Sequence, residues 1–208
     1  TNNGTMNWIG WNFNNTSGNP VTITNFGTFT VDNIATWANI NVINNRFEGS
    51  LAGIYFSGST PSNDQLVIQN NTFQSQRTAI RVEFISDEVK ILDNQFEQSA
   101  PNAYGIWIRQ LSGGYQIERN KIKLNSTGVC VNLESSSNTA TKPGIVRNNF
   151  IIATNNARGL SFGTASNDFL WVEHNSISTV GGYALYTASS VTPSQCFMRN
   201  NIVSTTAN

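Results

Sequence analysis

Three short segments, "GIYF" at 53–56, "AIRV" at 79–82 and "GIWI" at 105–108, each place one large or charged side chain between two apolar ones. Side chains alternate between faces along an extended strand, so the apolar flanks turn inward and Tyr55, Arg81 and Trp107 turn outward. Two positions beyond them, on the same face, come Ser57, Glu83 and Arg109, with Asn132 following the comparable segment "GVCV" at 128–131. Cys130, Ser161 and Tyr186 are expected to continue the Trp107 column. Aromatic rings beside guanidinium groups suit a sugar polymer, because rings pack on the apolar faces of pyranoses and Arg holds carboxylates bidentately. With strands in register, Tyr55, Arg81, Glu83, Trp107 and Arg109 form one carbohydrate-binding face. The same residues can also pair among themselves as ordinary sheet neighbours, Arg81 with Glu83 or Arg109.

Enzymatic chemistry is thinly provided for. Glycoside hydrolysis generally needs two carboxyl groups about 5 to 10 Å apart, and Glu83 is the one acid in this group. One carboxylate is a poor calcium site, so no metal and no cofactor is expected, and calcium has no support. The enzymatic alternative is a polysaccharide lyase in which Arg81 or Arg109 serves as base against a uronate. His174 precedes a recurring Asn, at a position otherwise held by Asn44, Asn70, Asp93, Arg119, Arg147 and Arg199, and is expected to be an exposed corner residue. No Cys/His spacing suggests zinc, and "LSGGYQ" at 111–116 is a Gly-rich turn rather than a phosphate loop.

The elements that must position these residues are written as a repeat. "VINNRFEG", "IQNNTFQS", "ILDNQFEQ" and "IERNKIKL" share an apolar residue, an Asn three places on, and a large apolar residue two places after that. Aligned on the Asn, the copies fall at Asn45, Asn71, Asn94, Asn120, Asn148, Asn175 and Asn200, spaced by 26, 23, 26, 28, 27 and 25 residues. The column three before reads Val42, Ile68, Ile91, Ile117, Ile145, Val172 and Phe197; the column two after reads Phe47, Phe73, Phe96, Ile122, Phe150, Ile177 and Ile202. Alternation of apolar and polar residues up to the Asn, and again in the lateral segments, means strands, about three per repeat. A unit of about 26 residues cannot bury its own apolar face, but stacked units can, each strand pairing with its equivalent one coil away.

On these motifs the chain resembles the right-handed parallel β-helix superfamily, the pectin-lyase-like proteins. The resemblance implies an all-β, single-stranded right-handed parallel β-helix (solenoid) of about seven to eight coils with an internal Asn ladder. The resemblance covers about residues 38–208, while the length of 208 residues fits one domain over 1–208, with 1–38 an irregular or partial first coil or cap and 39–208 regular coils. In the ladder each Asn bonds the Asn above and below, and Asn also tolerates the left-handed backbone of a sharp corner. Polygalacturonase-like members carry an Asp-rich catalytic set, and no "NTD", "DD" or "GHG" occurs here. Trp8 and Trp11 suit an end cap or an oligomer contact.

Composition narrows the partners. Net charge is zero with only 12% charged residues, which disfavours nucleic acid and an anionic membrane surface, while 31 of 208 residues are Asn. No apolar run reaches 18 residues, so no membrane insertion is expected. Sequons at Asn3, Asn14, Asn15, Asn70 and Asn125 carry little weight in so Asn-rich a chain. Cys130 and Cys196 lie three coils apart, about 14 Å, and should not bond to each other. The expectation is a secreted or cell-surface module that contacts polysaccharide or cell-surface glycan, leaning away from catalysis. The alternatives are a structural segment of an adhesin or fibre with end-to-end self-association, and the lyase.

Overall fold

The computed structural model describes residues 21–23, 29–31, 40–48, 52–57, 65–86, 88–163, 168–188 and 195–207. Within them the chain winds through three parallel sheets of eight, seven and seven strands, with no helix. One coil shows the plan: a pre-corner strand Gln65–Gln69, a post-corner strand Thr72–Gln74 and a lateral strand Thr78–Glu83. Each pairs in register with its equivalents above and below, never with a sequence neighbour. Six complete three-stranded coils run from Ile40 to Thr187, with a two-stranded layer at each end. The expected seven to eight coils are therefore six complete ones among the described residues. Within 1–38 two strands are described: Val21–Ile23 pairs with Ile40–Val42, and Phe29–Val31 with Ile54–Phe56. Trp8 and Trp11 lie outside the described residues.

Stacking puts like on like. Val42, Ile68, Ile91 and Ile117 follow one another in the pre-corner sheet, all buried. Behind the corner Phe47, Phe73 and Phe96 form a stack with centroids 4.9 Å apart and planes tilted by 5° and 11°. That spacing is the strand separation itself, so main-chain pairing and ring stacking satisfy each other.

The corner explains the Asn. The ladder runs through Asn45, Asn71, Asn94, Asn120, Asn149, Asn175 and Asn201; each Nδ2 up to Asn175 donates to Oδ1 of the next at 2.9–3.1 Å. The same Oδ1 accepts the preceding ladder residue's main-chain N–H, as Asn120 Oδ1 does for Asn94 at 3.0 Å. From Asn71 onward each amide also reaches the coil before, as Asn120 Nδ2 does to Ile91 O at 2.9 Å. Amides buried this way are fully partnered and cost little. Two expected rungs are corrected by one place: Asn148 and Asn200 are exposed, and their neighbours Asn149 and Asn201 carry the ladder. The apolar columns move with them. Val146 and Ile151 are buried where Ile145 and Phe150 were expected, and Phe150, Phe197 and Ile202 are exposed.

The left-handed backbone is likewise one residue earlier than expected. Asn44, Asn70, Asp93, Arg119, Asn148, His174 and Asn200 all have φ between 55° and 61°, and the ladder Asn that follows each does not. The ladder amide then reaches back across the corner, as Asn45 Nδ2 does to Ile43 O at 2.9 Å. His174 is thus an exposed corner residue, in a column with Asn148 and Asn200 rather than Arg147 and Arg199.

The lateral strands carry two consecutive inward residues, Gly53–Ile54, Ala79–Ile80, Gly105–Ile106, Cys130–Val131 and Gly159–Leu160. The first must be small: a Cβ on Gly105 would lie 2.5 Å from Cys130 O. Cys130 therefore packs in the core and not in the outward column, because Val131 pairs with Ile106 and Asn132 with Trp107. Cys130 and Cys196 are both free.

Candidate functional site: the lateral face

Register decides what meets on the lateral sheet. Tyr55, Arg81, Trp107, Asn132, Ser161 and Tyr186 form one outward column, and Ser57, Glu83, Arg109 and Glu134 form the next. Tyr55, Arg81, Glu83, Trp107 and Arg109 consequently lie together on three successive coils. Asn132 belongs to the Trp107 column, and Glu134 occupies the place beside Arg109 expected for Asn132.

Glu83 is the hub, only 3% exposed. Its Oε2 accepts from Arg81 Nε at 3.1 Å and Nη2 at 2.8 Å, and its Oε1 accepts the Tyr55 hydroxyl. Burial, and then this bond to Glu83, raise the Tyr55 phenol above its ordinary value. The Arg81 guanidinium lies over both rings of its column, 5.0 Å from the Tyr55 centroid and 4.5 Å from that of Trp107. Trp107 also stacks on Tyr104, with centroids 4.6 Å apart. These contacts engage the ring faces, so the cluster meets solvent with ring edges and donors rather than with bare faces. What it gains is rigidity, since an Arg fixed by two rings and a carboxylate keeps one rotamer.

Arg109 is held otherwise. Its side chain is 41% exposed; Nη1 is 3.9 Å from Glu83 Oε2, and Nε is 3.9 Å from Glu134 Oε2, too far for hydrogen bonds. Beside it Phe84 sits at φ 58° and 41% exposed, its ring 5.7 Å from the Arg109 guanidinium. A bulky residue in the left-handed region costs about 1–2 kcal/mol, and such strain collects at functional sites. Phe84 was not picked out from the sequence, where "EFIS" shows only another aromatic after a strand.

Further down the same sheet the sequence reading missed a second group. Arg158 lies over the Tyr186 ring at 3.6 Å, and Tyr183, 62% exposed, stands 5.6 Å from Tyr186. Three rungs, about 14 Å, separate Trp107 from Tyr186, with Asn132 and Ser161 between them. The signal was the Tyr186 column position; Arg158 and Tyr183 fall in the column of Tyr104, which was not aligned.

The arrangement can hold hydroxyls or carboxylates along the solenoid axis. For acid–base chemistry it offers Glu83, whose two oxygens are already occupied, and Glu134, whose Oε1 accepts from Asn132 Nδ2 at 2.8 Å. Among the described residues no group of three or more His, Cys, Asp or Glu is placed to hold a metal ion.

No curated protein and no solved structure matches this chain. A family model does, described as right handed beta helix region and matched over residues 33–207. The parallel coils, their register and the buried Asn ladder agree with that match and with the pectin-lyase-like superfamily, and the chain belongs to the right-handed β-helix family.

Proposed function

We propose that this chain is a non-catalytic module of an exported or surface protein that contacts polysaccharide through its lateral face. One observation carries the reading: Arg109, half-exposed and without a hydrogen-bonded carboxylate, stands beside a strained exposed Phe84 and a rigid Tyr55–Arg81–Trp107 cluster. Its donors are available to a ligand, and the cluster next to it needs no rearrangement, which lowers the entropic cost of binding. The Arg158–Tyr186–Tyr183 group extends the same face toward a polymer lying along the axis.

A glycan array run beside a uronide-release assay tests this. Binding without release, weakened in Arg109→Ala, is the expected result. Unsaturated products lost in Arg81→Ala or Arg109→Ala would establish a lyase, and no binding at all would remove the reading.

A further inference from the structure

A second set of rings lies on the opposite side of the Asn corner from the lateral face. Register in the pre-corner sheet stacks Trp171 on Phe197 and Glu173 on Arg199. All four line an open cleft of about 180 Å³. The two rings meet edge to face, 6.4 Å apart and at 89°. Unlike Trp107, whose ring is covered by Arg81 and Tyr104, Trp171 is 37% exposed and Phe197 57%.

The polar side of the cleft is an ion pair. Arg199 Nε donates to Glu173 Oε2 at 2.6 Å; the Glu173 side chain is 7% exposed and that of Arg199 66%. The neighbouring Arg147 is directed elsewhere, its Nε 3.0 Å from Glu118 Oε1.

We infer that this cleft is a second binding site, for one pyranose unit of a neutral glycan. Charge selects the ligand class. Glu173 and Arg199 cancel, so neither an anion nor a quaternary ammonium ion finds a net opposite charge. The Glu173 carboxylate can still accept from one hydroxyl while the Arg199 guanidinium donates to its neighbour. Shape selects the sugar: Trp171 offers a flat apolar surface, Phe197 closes one side, and the polar pair waits at the rim, matching a ring with an apolar face and hydroxyls around its edge. Size sets the number of units, since the cleft is well below the roughly 300–1,000 Å³ of sites that enclose drug-sized ligands. The inference stands apart from the lateral face, with which it shares no residue.

Calorimetry with neutral gluco-, manno-, galacto- and xylo-tetraose on the whole chain tests it, using Trp171→Ala, Phe197→Ala and Trp107→Ala. At least one tetraose is expected to bind with a component that is about tenfold weaker in Trp171→Ala and Phe197→Ala and that persists in Trp107→Ala, whatever Trp107→Ala does to binding on the lateral face. Unchanged thermal unfolding of Trp171→Ala, whose side chain faces outward, confirms that the fold is intact. No binding by any tetraose overturns the site. So does binding that follows Trp107 and not Trp171, which would leave only the lateral face as the contact. Tetramethylammonium binding that depends on Trp171 overturns the ligand class, and a dimer abolished by Trp171→Ala assigns the rings to a second copy instead. The lateral-face reading fails separately, when Arg109→Ala leaves glycan-array binding unmoved.

Discussion

Asn120 donates its side-chain amide to Oδ1 of Asn149 at 3.1 Å across 29 residues of chain, while Asn148, one bond away, turns outward at φ 56°. Adjacent residues of one type thus hold opposite places, one inside the core and one shaping the corner.

Their substitutions separate accordingly. Asn149→Ala removes the oxygen that accepts both the main-chain N–H and the side-chain amide of Asn120. A buried group left unpartnered costs about 1–3 kcal/mol, so the variant is expected to lose about 2–4 kcal/mol. Asn148→Gly relieves a left-handed backbone and stays within about 0.5 kcal/mol of the parent. Urea unfolding of the two variants measures the contrast, and equal losses would place the ladder wrongly.

Phe73 packs between Phe47 and Phe96 with nothing exposed. Phe73→Ala opens a cavity and breaks two ring contacts, at a cost of about 3–5 kcal/mol. Phe150→Ala, on the exposed side of the same sheet, should change stability by less than about 0.5 kcal/mol. Parallel thermal melts decide it.

Tyr55 offers a spectroscopic handle on the lateral cluster. Its raised folded-state value means that the stabilisation is whole below its ordinary value of 10.0 and is lost as pH rises through the raised one. Ultraviolet titration of Glu83→Gln should move Tyr55 part of the way back, because burial, the larger cause, persists. A titration that does not move would show that Glu83 has no hold on the phenol.

Asp93 behaves in the opposite sense. Hydrogen bonds from Arg119 at 2.7 and 2.9 Å are the main cause of its lowered value. The pair's contribution is therefore present above the ordinary 3.8 and disappears as pH falls through the lowered value. Asp93→Asn should flatten the acid limb of the stability profile by less than about 1 kcal/mol, since both side chains are partly exposed. An unchanged limb would show that the pair contributes nothing.

Burial raises both thiols and shuts Cys130 away completely. Iodoacetamide on the native protein should label Cys196 alone, and both after denaturation. Labelling of Cys130 in the native state would place it outside the core.

How far the sequence foretold this follows from the same residues. Like stacks on like, so apolar columns such as Val42, Ile68, Ile91 and Ile117 can be seen by alignment, and with them the solenoid. Doublets defeat the alignment: at 148–149 and 200–201 either Asn has apolar residues three before and two after it. Only the corner's geometry chooses between them. Cys130 was misplaced because alternation was carried through a strand where two consecutive residues turn inward. The five residues expected to share the lateral face do so, because their coils are equal in register there. Their mutual engagement was not legible, since nothing linear tells that Arg81 lies over two rings.

The corner positions Asn44, Asn70, Asp93, Arg119, Asn148, His174 and Asn200 share one backbone state yet differ in chemistry. They climb the molecule like marks on a graduated staff, about 4.8 Å per step. Swapping the group at one mark leaves every other mark where it was. The spine therefore displays charge or hydrogen-bonding capacity at a pitch set by main-chain pairing alone, open to tuning without disturbing the interior.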